Sequence, residues 1–96
     1  MSSGDLTRYV VTVSIHEASL TELNELNNAF TRANFLLTLT DDDGHIHDLG
    51  TMTFGLISAI SEEEVRALAA SLVEGVTDKR SEIDIDTWES WQKKEQ

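Results

Sequence analysis

The chain has no cysteine and no proline among its 96 residues. Without cysteine there is no disulfide framework, no thiolate nucleophile and no cysteine-ligated zinc or iron–sulfur centre. Apolar runs stay far below the ~18 residues that a membrane-spanning helix needs. The opening stretch, MSSGDLTRYV, lacks a basic segment followed by an apolar one, so it does not read as a signal peptide, and the expected address is the cytoplasm. Basic side chains are also scarce. Seven Lys and Arg face eighteen Asp and Glu, a formal charge of −11. The deficit is spread evenly, −6 over residues 1–60 (eight acids, two bases) and −5 over 61–96 (ten acids, five bases), so no basic domain hides in an acidic whole. Nucleic-acid affinity comes largely from Lys and Arg on phosphates, so general, tight nucleic-acid binding is excluded while a local contact with RNA is not.

What is present is enough to fold. Hydrophobic residues make up 40% of the chain, well above a disordered acidic tail. A chain of this length holds one core, thin enough that each large apolar residue matters. Residues 7–92 are expected to form that domain, with 1–6 and 93–96 as flexible ends.

Tyr9, Val11, Val13 and Ile15 alternate through a β-branched run and predict a first strand. Ser19-Leu20-Thr21-Glu22 is a capping box, and behind it Leu20, Leu23, Leu26, Phe30 and Ala33 share one side of a helix. Phe35, Leu37 and Leu39 predict a second strand with those three on one face. Asp41-Asp42-Asp43-Gly44 reads as a turn with Gly44 at the positive-φ position. A third strand is expected over 49–58, with Met52, Phe54 and Leu56 facing the core. Ser61-Glu62-Glu63-Glu64 is a second capping box, opening a helix striped by Val65, Leu68, Ala69, Leu72, Val73 and Val76 and capped near Gly75. Glu82 to Asp86 alternates acid and Ile as a fourth strand, and a short helix carrying Trp88 and Trp91 ends the chain. The order β-α-β-β-α-β is satisfied most simply by a four-stranded antiparallel sheet with two helices on one face, the ferredoxin-like α+β arrangement. Swapped strands, or a homodimer completing the sheet, are the alternatives.

On that order the sequence resembles the GhoS family. The matching features are Tyr9-Val10-Val11, Asn34-Phe35, Asp41 with Gly44, Leu49, Phe54 and Ser58. Val65 and Leu68 in the capped acidic helix, and the Ile83/Ile85 strand running into an aromatic tail, extend the likeness over residues 8–92. The resemblance implies a ferredoxin-like fold and an antitoxin of a type V toxin–antitoxin pair. Such an antitoxin is a sequence-selective endoribonuclease that cuts the mRNA of a small membrane toxin. Its implied partner is single-stranded RNA, with neither DNA nor membrane. The competing reading is a non-enzymatic acidic module for protein interaction or regulation, which the −11 charge favours.

RNA cleavage without a metal needs a base for the 2′-hydroxyl proton and an acid for the leaving 5′-oxygen, and a histidine pair serves both near neutral pH. His45 and His47, two apart on an extended segment, point the same way, and His47 matches a basic position of the family. They are the catalytic candidates, against the plainer reading of two exposed histidines on a hairpin. Arg32, closing the first helix, and Arg8, before the first strand, are candidate RNA phosphate clamps. An Arg in a helix's last turn also simply suits its dipole. Asn27 lies on the apolar side of the first helix and either lines a cleft or caps a buried backbone group. Asp41 and Asp43 are weak candidates for a hard divalent cation, but consecutive acids lack the spacing of a calcium loop, so no metal and no cofactor is expected. Trp88 and Trp91 are base-stacking candidates, although a docked terminal helix explains them as well. His16 and Glu17 are the polar side chains closest to the end of the first strand.

Overall fold

A computed structural model of the chain describes residues 6–40, 43–49 and 52–94. Its elements are β1 (Thr7–Ile15), α1 (Leu20–Arg32), β2 (Thr38–Thr40), β3 (Ile46–Asp48), β4 (Thr53–Ser58), α2 (Glu62–Glu74), β5 (Ser81–Thr87) and α3 (Trp88–Lys94). The fold is α+β. Three antiparallel strands in the order β4-β1-β5 form one sheet, and β2 with β3 forms a separate two-stranded ribbon. The central strand is the β-branched one, as expected of the strand buried on both faces.

Both capping boxes close as the sequence predicts. The Glu22 N–H donates to Ser19 Oγ at 3.2 Å and the Ser19 N–H to Glu22 Oε1 at 3.0 Å. Ser61 and Glu64 repeat the exchange at 3.2 and 3.1 Å. Each box satisfies two of the amides that every helix N-terminus leaves without partners.

Period two in β1 divides its side chains between two cores. Tyr9, Val11 and Val13 face the helices and pack with Leu26, Phe30, Phe54, Val65, Ala69 and Val73. Val10, on the other side, packs with Leu39, Leu49 and Trp88, so α3 and the β2–β3 ribbon cover the face of the sheet that α1 and α2 leave open. Phe54 lies stacked on Phe30, ring centroids 4.4 Å apart, as its predicted inward direction requires.

The expected four-stranded sheet does not form: the sheet has three strands, and the predicted second strand is broken. Leu36 exchanges two hydrogen bonds of 2.7 Å with Gly55 of β4, but this bridge stands by itself. The chain then bends at Leu37, and β2 pairs with β3 instead. Phe35 therefore enters the helix-side core while Leu39, of the same parity, enters the opposite one, and Leu37 between them is exposed. A continuous strand would have kept all three on one face. Gly55 permits the crossing. A Cβ there would stand 2.9 Å from Leu39 Cγ, closer than real side chains tolerate. The predicted third strand is also shorter at its start: Leu49 is buried in the second core, and β4 begins at Thr53 after Met52 at φ 58°. Leu20, placed in the apolar stripe of α1, is 74% exposed, because the first residue of a helix covers surface N-terminal to its own turn. Gly44 holds the expected positive φ, 87°. Asp41 lies outside the described residues.

Candidate functional site

Around α3 the structure gathers three of the residues singled out by sequence. His47 lies in β3 opposite Leu39, and its ring meets the buried Trp88 edge-on, centroids 5.3 Å apart at 69°. Trp91, one turn on, stacks on Trp88 at 5.6 Å and 18°. His45 is exposed and sits just ahead of the strand. Arg8 reaches across from β1. Its Nη2 donates to Glu89 Oε2 at 3.0 Å, and its Nη1 to the Thr40 carbonyl at 3.4 Å. The guanidinium thus ties β1, the end of β2 and α3 together, and a phosphate at this place would have to compete with Glu89 for the same fork. The arrangement sets the His47 imidazole against an aromatic wall, with Arg8 tied to the end of β2 and to α3.

The other RNA-binding candidates lie elsewhere. Arg32 is exposed in the last turn of α1, on the opposite face of the sheet from α3. Asn27 is half-buried on the same helix, and its carbonyl accepts the Thr31 hydroxyl at 3.0 Å. The RNA-binding candidates Arg8 and Arg32 thus fall on opposite faces of the sheet. Asp43 is exposed in the turn, and among the described residues no three His, Asp or Glu converge on a point where a metal would sit.

At the far end of β1 the register builds a second place that no sequence motif signals. Ser14 stands opposite Glu82 and Ile15 opposite Ser81, and the His16 N–H donates to the Arg80 carbonyl at 3.2 Å. Ser14, Ile15, His16, Arg80 and Glu82 line an open depression of about 490 Å³. From Arg8 to Ser14 is six residues of extended chain, ~20 Å at ~3.3 Å per residue, so the two places sit at opposite ends of the central strand. His16 was legible as the polar group ending β1. Arg80 was not, because it stands in the mixed polar connection Thr77-Asp78-Lys79-Arg80, and Glu82 read only as the first residue of a strand alternating acid and Ile.

Lys79 and Glu22 together tie the two rims of this depression. Glu22 accepts Lys79 Nζ at 2.7 Å, the Thr77 hydroxyl at 2.7 Å and the Ser19 N–H at 3.0 Å. These bonds, the Lys79 ammonium first among them, pull its pKa down to about 2. Lys79 Nζ also donates to the Glu17 carbonyl at 2.8 Å. Glu17 follows His16 and turns the chain at φ 59°, while Lys79 precedes Arg80. The segments carrying His16 and Arg80 are thereby held to each other and to the start of α1.

Comparison with known proteins identifies a family for nearly the whole chain. The family model described as endoribonuclease GhoS matches residues 1–94. The chain is 63% identical over 91 residues to the protein YdiZ of Escherichia coli strain K12, the match covering 95% of each chain. The same figures hold for YdiZ of Escherichia coli O157:H7.

Proposed function

We infer, since the chain belongs to the GhoS family, that it is an endoribonuclease acting on single-stranded RNA. The observation that carries this reading is the family match over residues 1–94, which spans every helix and strand. In finer detail, we propose that it acts in the cytoplasm as an antitoxin, cutting the transcript of a small membrane toxin. No helix among the described residues is long and apolar enough to cross a membrane, which accords with that role. A ferredoxin-like classification also belongs to this proposal. The β4-β1-β5 order, extended past β4 by the Leu36–Gly55 bridge, supports it.

The proton transfers are assigned to His45 and His47. One imidazole takes the proton of the 2′-hydroxyl as that oxygen attacks phosphorus. The other gives a proton to the departing 5′-oxygen, leaving a 2′,3′-cyclic phosphate and a free 5′-hydroxyl. The exposed His45 and the half-buried His47, whose ring meets Trp88, support this assignment, and Trp91 offers a ring for a base to stack on.

The test is purified protein incubated with candidate toxin transcripts, with and without chelator, beside H45A, H47A and the double variant. H47A is expected to slow cleavage by ~10²–10⁴-fold with little change in thermal midpoint. A double variant that cuts as fast as the parent removes the histidine assignment. A sharp loss with chelator transfers the chemistry to a metal near the Asp turn. If the parent neither cuts nor shifts any transcript, the endoribonuclease reading falls and an interaction module takes its place.

A further inference from the structure

We propose that the depression between the ends of β1 and β5 is a nucleotide-binding subsite, taking one nucleotide of an RNA strand and preferring guanine. Its lining supplies what a nucleotide needs. Arg80 presents a planar fork of N–H donors that suits a phosphate. His16 and Ser14 add further donors across the cleft, and Glu82 is an acceptor-only group when ionised. Guanine offers N1–H and N2–H₂ side by side, two donors that match one carboxylate. A phosphate and a base edge therefore find opposite partners in one hollow.

Three observations favour a built site over an ordinary surface dent. The volume, about 490 Å³, lies in the ~300–1,000 Å³ range of small-ligand pockets. Among the described residues, the side chains of His16, Arg80 and Glu82 make no hydrogen bond or ion pair with the rest of the protein, so their polar groups are open to a ligand. The backbone of the rims is also fixed, because Lys79 bonds both the Glu17 carbonyl and Glu22, so that binding has side chains but not chain segments to order. In a chain of charge −11, an arginine and a histidine facing one cleft are an exception to the surface around them.

The subsite lies ~20 Å along β1 from Arg8, too far for it to serve the same phosphodiester as His47. Arg80 and His16 are therefore positioning residues. They hold the strand at one nucleotide while cleavage takes place at another. The role as part of an RNA track rests on the endoribonuclease reading, whereas nucleotide binding itself does not.

The experiment follows the amide and imidazole resonances around His16 on titration with guanosine monophosphate, uridine monophosphate and inorganic phosphate. In parallel, cleavage kinetics compare the parent with R80Q, R80K, H16Q and E82Q, with R66Q as a charge-matched control on α2. Guanosine monophosphate should bind about tenfold more tightly than uridine monophosphate, and E82Q should abolish that preference. R80Q should raise KM about tenfold with kcat unchanged, with R80K intermediate and R66Q like the parent. Its salt dependence should flatten by ~0.7 in log–log slope, the loss of one single-strand phosphate contact. Urea midpoints near the parent's show that the variants fold. Equal response to all three probes, or to inorganic phosphate alone, reduces the site to an anion contact and overturns the proposal. A fall in kcat without a change in KM for H16Q makes His16 catalytic and also overturns it. RNA cleavage with R80Q indistinguishable from the parent removes the subsite and spares the nuclease reading. Nucleotide binding without RNA cleavage does the reverse.

Discussion

Glu22 illustrates how much one side chain decides in so small a protein. Its carboxylate caps α1, holds Lys79 and Thr77, and so joins the first helix to the connection before β5. Its folded pKa, about 2, lies below the ordinary carboxylate value. A depressed folded pKa means that the contribution is complete above the unfolded value, ~4.3, and is lost as pH falls toward the folded one. E22Q should therefore lower the urea midpoint most at neutral pH. The gap to the parent should narrow below about pH 4 and close near pH 2. A gap constant from pH 7 to 2 would show that the charge of Glu22 is not what matters. Gly55 is a second such position. G55A should destabilise by ~1–3 kcal/mol, the usual cost of overpacking. Adding L39A should make part of that loss non-additive, because the new methyl would meet Leu39. Additive losses would place the glycine's role in its backbone.

The elements owe their existence to local patterns and their contacts to long-range ones. F54A should cost ~3–5 kcal/mol in chemical denaturation, since Phe54 is fully buried and stacked on Phe30. A loss under ~1 kcal/mol would contradict the β1–β4 register, because a one-residue slip turns Phe54 outward. α3 stands differently. Seven residues are too few to hold a helix alone, so it persists because Trp88 is buried against Val10, Leu39 and Leu49. W88A should destabilise the chain by a similar ~3–5 kcal/mol. It should also broaden the amide signals of β2 and β3, whose own face rests on that tryptophan. Sharp, unshifted ribbon signals in W88A would mean that the ribbon stands without α3.

For the molecule as a whole, eighteen acids against seven bases set two salt effects of opposite sign. Folding compresses like charges, so raising salt from ~10 mM to ~300 mM should raise the urea midpoint at pH 7 by screening their repulsion. RNA binding should weaken over the same range, because the contacts with phosphate are themselves electrostatic. A midpoint that falls with salt would mean that ion pairs such as Arg8–Glu89 outweigh the repulsion.

What is local could be read from neighbouring residues alone. A four-residue pattern is enough for a capping box, and Ser19–Glu22 and Ser61–Glu64 both form one. Period two was enough to send Tyr9, Val11, Val13, Phe54 and Leu56 to the helix side, because alternation on a strand leaves no other choice. The rest came from contacts between residues far apart in the chain. The bend after Leu36 depends on Gly55, nineteen positions away in sequence, leaving room for Leu39. The separation of Arg8 from Arg32 depends on which face of the sheet each flanking element covers. The meeting of His16 with Arg80 depends on the antiparallel register of β1 and β5, which couples residues more than sixty apart. Short-range sterics and hydrogen bonding are encoded in neighbouring residues, whereas a cleft between two strand ends exists only after the chain has closed on itself.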